Sequence, residues 1–173
     1  LSALGRVKRI ATGASDDYGE PASIFGSEFT TEDVNYGNIE DYQINILSQT
    51  IQDGRNAWQL EAIPVTKKAR RSRYARTVYF VDKERYVSLR SEMYDKYGKQ
   101  LKRSISSRVE MMNGHWVARP VTMFNLVSNR LSNMAMVDLH AGLSVNEDFL
   151  TQRSLIDSAY RETVLNQLRS QTK

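Results

Sequence analysis

The chain has 173 residues, of which 40% are hydrophobic and 25% are charged, and its formal net charge is +4. These values describe one ordinary globular domain that buries about 70% of its unfolded surface, and they exclude a disordered chain. No apolar run approaches the ~18 residues of a membrane helix, and the absence of cysteine excludes disulfides and thiolate metal sites.

The first predicted element is an irregular segment, Ser23–Val34, which fits neither the helix period nor the strand period. It carries four large apolar side chains, namely Ile24, Phe25, Phe29 and Val34. Either Thr30 or Thr31 is expected to cap a single helical turn through TEDV, with the acidic residues at its positive end.

Alternating apolar and polar residues then predict strands along most of the chain. Residues 42–46 alternate before a predicted turn at Asp53-Gly54, and the stretch WQLEAIPV alternates in the same way. Further strands are predicted in YARTVYFVD, YVSLRSEMYD, LKRSISSRVEMM, HWVARPVTMFNLV and RLSNMAMVDLHAGLSV. Asn113-Gly114 is the strongest hairpin signal in the chain. The short spacing of the turns predicts an antiparallel meander, apolar on one face and polar on the other.

A basic run, KKARRSRYAR, interrupts this pattern with six cations, Lys67, Lys68, Arg70, Arg71, Arg73 and Arg76. We predict an exposed, mobile loop between strands that end near Val65 and begin near Tyr74. A solvated loop is the simplest interpretation, and contact with anionic lipid headgroups is an alternative. Nucleic-acid binding is disfavoured because Tyr74 alone offers a stacking surface.

The C-terminal residues change character. Leu155, Tyr160, Val164, Leu165 and Leu168 recur at near-helical spacing between Ser154 and Leu168. This spacing predicts one amphipathic helix.

The sequence offers no recognisable catalytic or metal-binding motif. Neither His115 nor His140 has a partner at metal-ligand spacing, and the stretch GEPASIFG lacks the lysine and the spacing of a phosphate-binding loop. The acidic stretch EDVNYGNIED does not match the ligand spacing of an EF-hand. We therefore predict no catalytic residue, no metal site and no cofactor.

Six segments in order carry a family resemblance. They are LGRVKRI, FGSEFTTEDV, DGRNAWQLEAIPV, YFVDKERYVSLRSEMYDKYGKQLK, NGHWVARPVTM and EDFLTQRSL. Together they resemble the outer-membrane lipoprotein-sorting family, the relatives of the periplasmic lipoprotein carrier LolA of Gram-negative bacteria. The resemblance spans Leu1 to about Leu155.

The resemblance implies a mainly β fold with minor α, an incomplete, curved antiparallel β-barrel with short lid helices and a C-terminal helix. Residues 1–155 would form the C-terminal part of a LolA-like half-barrel domain, and residues 156–173 a C-terminal amphipathic helix or tail. The family's N-terminal helix and first strands are not found ahead of LGRVKRI, so we expect an open barrel edge near Leu1–Ile10.

In such a fold Ser23–Val34 would close over the hollow, loosely hydrogen-bonded, with its apolar side chains pointing at the ligand or at the sheet. Strand alternation predicts that a set of side chains shares the concave face, namely Trp58, Leu60, Val78, Phe80, Val87, Leu89, Met93 and Ile105. The candidate lipid-binding residues are this set with Ile24, Phe25, Phe29, Val34 and Met123. Whether the cover residues and Met93, Met123, Met134 and Met136 line a cavity or fill a plain core stays open.

The function implied by the resemblance is a non-catalytic periplasmic carrier that binds the acyl chains of a lipid or lipoprotein. Its partners would include an inner-membrane transporter and an outer-membrane acceptor, with anionic headgroups at Lys67, Lys68, Arg70, Arg71 and Arg73. The alternative is a periplasmic interaction module of an envelope transport system, without lipid cargo of its own.

Overall fold

The structure is a computed structural model that describes residues 22–35 and 37–171. The described residues belong to two compact units, a β-rich unit that ends at Val137 and a C-terminal unit that begins at Asp138. The open edge expected near Leu1–Ile10 lies outside the described residues.

The β-rich unit is built on an open antiparallel sheet, as predicted. Its strands are β1 (Tyr42–Gln52), β2 (Arg55–Pro64), β3 (Arg76–Asp82), β4 (Ser88–Tyr94), β5 (Gln100–Ser106), β6 (Val109–Met112), β7 (His115–Ala118), β8 (Val121–Asn125) and β9 (Arg130–Met134). Seven of them form one sheet in the order β1-β2-β3-β4-β5-β8-β9, and β6 pairs with β7 separately. Within the described residues the sheet does not close, because β1 and β9 are its two edges.

The two predicted tight turns are present, but several predicted strands are shorter than expected. Asp53-Gly54 and Asn113-Gly114 turn with positive φ at both residues. The stretch LKRSISSRVEMM is divided into β5 and β6, because Pro120 lies opposite the division and has no amide hydrogen for the ladder. The last predicted strand, residues 130–145, ends already at Met134.

Cross-strand pairing defines two faces of the sheet. Paired residues lie on the same face, and pairing connects Ala62 to Thr77, Thr77 to Met93 and Met93 to Lys102. We call this the inner face, because Met93 and Met123 pack there against Phe29 of the segment Ser23–Val34. The opposite, outer face carries the residues paired with Glu92.

The register corrects part of the predicted concave set. Trp58, Leu60, Leu89 and Met93 lie on the inner face. Val78 and Phe80 lie on the outer face, since they pair with Glu61 and Gln59 across β2 and with Glu92 and Arg90 across β4. The sequence VYFV is apolar at four consecutive positions, so either alternate pair of β3 side chains, Val78 with Phe80 or Tyr79 with Val81, fits the inner face equally well.

Ile105 also lies on the outer face, because it pairs with Arg90. The cause is an irregularity in β5, where Lys102 pairs with Met93 while Gln100 pairs with Tyr94. The intervening Leu101 is an extra residue that joins the inner core, so the phase of the strand changes beyond it. Val87 lies in the turn before β4.

Arginine and aromatic side chains alternate on the outer face. The guanidinium of Arg76 lies 4.3 Å from the ring centroid of Tyr94, and that of Arg103 lies 5.1 Å from the ring of Phe124. The long arginine stems cover the rings while their charged ends remain near water. The outer face therefore carries arginine side chains packed over aromatic rings.

A buried aspartate connects the ends of β2 and β3 to the turn before β4. Asp82, fully buried at the end of β3, accepts hydrogen bonds from the Arg55 Nε at 2.9 Å and the Arg85 Nε at 2.7 Å. It also accepts bonds from the backbone amides of Glu84 and Arg85. The Arg55 guanidinium and these amides outweigh the effect of burial and hold the pKa of Asp82 well below its usual range.

The C-terminal unit contains two helices where one was predicted. They are α3 (Gln152–Ile156) and α4 (Ser158–Ser170), preceded by a 3-10 turn at Glu147–Leu150. The division falls at Asp157, whose carboxylate accepts a hydrogen bond from the amide of Tyr160 at 2.9 Å and caps α4. No helix among residues 22–35 and 37–171 combines the length and hydrophobicity that spanning a membrane requires.

Candidate functional site

The segment Ser23–Val34, which we call the cover segment, is a tight hairpin followed by one helical turn. Phe25 and Gly26 both have positive φ, and the Ser27 amide closes the turn on the Ile24 carbonyl at 2.9 Å. The helical turn is α1 (Thr31–Val34), and Thr30 caps it, which confirms the prediction.

Only two of the four apolar side chains of the cover segment reach the inner face. Phe29 is buried in the core cluster with Tyr74, Met93, Leu101 and Met123, and Ile24 packs against that cluster. The prediction is wrong for Phe25, which is fully exposed, and for Val34. Phe25 occupies the tip of the turn, and α1 buries Asp33 rather than its neighbour Val34.

A buried polar cluster lies beneath the cover segment. The Lys102 Nζ donates to the Asp33 Oδ2 at 2.7 Å and to the Glu28 carbonyl at 2.8 Å, and both charged side chains are almost completely buried. Asp33 also accepts hydrogen bonds from the amide and hydroxyl of Thr30 and from the Tyr74 hydroxyl. Burial, together with the nearby Asp33 carboxylate, raises the pKa of Tyr74 well above its usual value.

The cover segment is also fixed to the far edge of the sheet. The Glu28 amide donates to the Ser132 hydroxyl at 3.0 Å. The Glu28 carboxylate accepts a hydrogen bond from the Asn125 side chain and forms an ion pair with Arg130. The prediction of a loosely hydrogen-bonded cover is therefore wrong. Its position over β4, β5, β8 and β9 is specified by several polar contacts.

An apolar groove of about 300 Å³ lies beside the cover segment on the same inner face, over β1, β2 and β3. It is lined by Gly37, Asn38, Ile39, Tyr42, Ile44, Ala62 and Tyr79. Ile39 and Ile44 are 78% and 44% exposed, so large apolar side chains face solvent in the groove. This volume is at the lower end of the range of about 300–1,000 Å³ for small-molecule sites.

The predicted site residues are therefore divided among several environments. Phe29, Leu89, Met93 and Met123 are buried, whereas Trp58 and Leu60 are half-buried on the inner face and do not line the groove. Met134 and Met136 are exposed. The lipid-binding role of all these residues stays a prediction.

The residues that line the groove were missed by sequence reasoning. Tyr42 and Ile44 were recognised only as strand residues, although their alternation places them on one face. Their pairing with Pro64 and Ala62 puts that face on the inner side of the sheet, next to Tyr79. This register is a long-range property that alternation within one strand does not reveal.

The basic run is more ordered than predicted. We call Lys67–Arg73 the basic segment. It begins in a short helix, α2 (Thr66–Ala69), and β3 begins at Arg76, two residues after Tyr74. Its far end is held by Glu32 of the cover segment, which accepts bonds from the Ser72 hydroxyl at 2.5 Å and from the Arg73 amide at 3.1 Å.

The two histidines are exposed, and the His140 Nε2 lies 2.9 Å from the carboxylate of Asp138. In the described part of the chain, no three histidine, aspartate or glutamate side chains gather in a geometry that holds a metal ion.

Three solved structures are similar to this chain. The first is a domain assigned to outer-membrane lipoprotein sorting from Vibrio parahaemolyticus, 29% identical with a TM-score of 0.75. The second is a DUF1329 family protein from Desulfovibrio piger, 24% identical with a TM-score of 0.77. The third, a LolA-superfamily protein from Nitrosomonas europaea, is 18% identical with a TM-score of 0.61. The two less identical structures show the fold alone.

The matches cover 90%, 90% and 75% of this chain but only 63%, 62% and 58% of the respective structures, so the chain spans less than two thirds of their length. A search of curated proteins gives no match. A family model described as "Uncharacterized protein" matches residues 1–157. The resemblance to lipoprotein-sorting proteins is thus confirmed at the level of the fold, and the chain belongs to the family whose model covers residues 1–157.

Proposed function

We propose that the chain is the acyl-chain-binding part of a non-catalytic periplasmic carrier for a lipid or lipoprotein. The groove beside the cover segment is the binding surface. The observation that carries the proposal is this open apolar groove, in which Ile39 and Ile44 face solvent although the same sheet face is packed a short distance away.

Physical chemistry favours acyl chains as the occupant. Each buried methylene contributes roughly 0.8 kcal/mol, and an acyl chain requires no specific hydrogen bond from the groove. The groove wall is made mainly of isoleucine, alanine and tyrosine side chains, which match such a surface. The similar domain from Vibrio parahaemolyticus, assigned to lipoprotein sorting, supports a cargo of this class.

The packed region under the cover segment differs from the predicted hollow. Phe29, Met93 and Met123 fill the space between the cover segment and the sheet. This packing favours the second candidate, a periplasmic interaction module without cargo, for that half of the sheet. The two candidates therefore differ in what the groove over β1, β2 and β3 binds.

The test is the affinity of the chain for a fluorescent fatty acid, with the variant Ile39→Ser/Ile44→Thr. Both side chains are exposed, so the urea midpoint should change little. The affinity for the fatty acid should fall at least about tenfold, because apolar contact with its acyl chain is lost. Ile51→Thr is the matched control, since Ile51 is exposed on β1 and does not line the groove. Absence of binding to the unmodified chain, or equal binding by both variants, would contradict the proposal.

A further inference from the structure

The basic segment lies at one end of the groove. It begins shortly after the end of β2, and the Val65 amide before it donates to the Asp41 carbonyl at 2.9 Å. Asp41 ends the 3-10 turn Ile39–Asp41, whose first residue lines the groove. This hydrogen bond fixes the start of α2 beside the groove wall.

Lys68 brings a positive charge to that wall. Its Nζ lies 5.7 Å from the ring centroid of Tyr42. It also lies close to Gly37, since a Cβ atom built onto this glycine would be 3.4 Å from the Lys68 Nζ. Both Tyr42 and Gly37 line the groove. The same added Cβ would lie 2.7 Å from the Asp41 Oδ2, so this ammonium has one carboxylate near it.

Besides Lys68, the basic segment carries three cations whose side chains are exposed to solvent. Lys67, Arg70 and Arg71 are exposed. Glu32 and Asp41 are carboxylates that the described contacts place beside the segment, one at each end. Hydrogen bonds fix both ends of the segment, from the Val65 amide to Asp41 and from the Arg73 amide to Glu32, so the segment is not a free loop.

An apolar groove with a fixed positive charge at one end has the polarity of an amphiphile. Building on the acyl-chain role proposed above, we propose that the ligand of the groove carries an anionic headgroup and that the basic segment binds this headgroup. Tyr42 and Ile44 contact the acyl chain next to it. Lysine and arginine attract anionic headgroups by charge. The headgroup of a zwitterionic lipid with the same acyl chain offers them no net charge.

The test compares two lysolipids with the same acyl chain, lysophosphatidylglycerol and lysophosphatidylcholine, below their micelle concentrations. The unmodified chain should bind the anionic lipid at least about tenfold more tightly. The triple variant Lys68→Gln/Arg70→Gln/Arg71→Gln should lose most of this preference and keep its affinity for lysophosphatidylcholine. The control Lys96→Gln/Lys99→Gln/Arg108→Gln removes the same charge elsewhere and should keep the preference.

The outcomes separate this inference from the proposed function. Binding of neither lysolipid would overturn both. Equal binding of the two lysolipids, or an equal loss of preference in both triple variants, would overturn the inference and leave the acyl-chain role standing. Glycerol 3-phosphate has the headgroup chemistry without the acyl chain, so it should not compete with lysophosphatidylglycerol for the protein. Effective competition would overturn the inference that the ligand is a lipid.

Discussion

At the scale of single residues, Lys102 explains why the cover segment is firmly held. The sequence LKRSIS gives no sign that this lysine is buried, because a cation in a strand is usually solvated. Its partner Asp33 lies 69 positions earlier in the chain. The pair forms only when the cover segment and β5 meet, so it is a product of the tertiary fold.

Removing one partner of this buried pair should destabilise the fold strongly. Lys102→Met leaves the Asp33 carboxylate buried without its cation, and we expect the free energy of unfolding to fall by about 3–5 kcal/mol. Urea unfolding at neutral pH measures this change.

The exposed Lys99→Met is the matched control on the same hairpin and should change stability by less than about 0.5 kcal/mol. The double variant Asp33→Asn/Lys102→Met should lose less than the sum of the two single changes, since each single change leaves one buried charge unpaired and the double variant removes both charges. Similar, small effects of Lys102→Met and Lys99→Met would show that the buried pair does not hold the cover.

Phe25 should be replaceable with a gain in stability. It is exposed and has φ of 51°, in the left-handed region that bulky side chains avoid, and it precedes Gly26 in a tight turn. Phe25→Asn should raise the free energy of unfolding by about 1 kcal/mol, measured by urea unfolding. Phe25→Leu keeps the strained backbone and should give no gain, and a loss of stability in Phe25→Asn would show that the ring makes a contact of consequence.

Residue roles could be predicted where they depend on local sequence. The sequence predicts a cap at Thr30 or Thr31, and the structure has it at Thr30, because capping involves only the next three residues. Phe25 and Val34 were placed wrongly, since the direction of a side chain from an irregular segment depends on the turn geometry. Burial of Asp33 has no local signal either, because its partners Tyr74 and Lys102 are distant in the chain.

At the scale of elements, Asp82 ties β2, β3 and the turn before β4 together. Its pKa is lowered in the folded state, chiefly by the Arg55 guanidinium, so the unfolded chain takes up a proton first as the pH falls. The stabilisation is therefore complete above about pH 5 and is lost progressively from there to about pH 2.

This linkage predicts a specific pH dependence of the urea midpoint. The midpoint of the unmodified chain should fall steeply between about pH 5 and pH 2. Asp82→Asn should be less stable at neutral pH, because a buried acceptor of two arginines is lost, and its midpoint should fall less steeply. The exposed Glu40→Gln should keep the steep fall. Parallel curves for Asp82→Asn and the unmodified chain would contradict the role of Asp82.

Element boundaries follow the same distinction between local and distant information. The hairpins at Asp53-Gly54 and Asn113-Gly114 were predictable, because their turn chemistry is contained in two residues. The phase of β3 was not, since Val78 to Val81 are all apolar. The change of phase in β5 depends on the extra residue Leu101, whose effect appears only in the pairing with β4.

At the scale of the whole β-rich unit, the inner face has two halves that are packed differently. The half over β4, β5, β8 and β9 is filled by Phe29, Ile24 and the buried polar cluster. The half over β1, β2 and β3 bears the open groove. We infer that cargo occupies the open half without displacing the cover segment, in contrast to a lid that must open.

The most direct measurement of this central claim is paramagnetic relaxation from a nitroxide-labelled fatty acid, read in the amide spectrum of the chain. We predict that bound fatty acid broadens the amides of residues that line the groove, Tyr42, Ile44, Ala62 and Tyr79. The amides of Phe29, Met93 and Met123 under the cover segment should broaden much less. Broadening centred on Phe29 and Met123, or no selective broadening at a saturating concentration of fatty acid, would contradict the account.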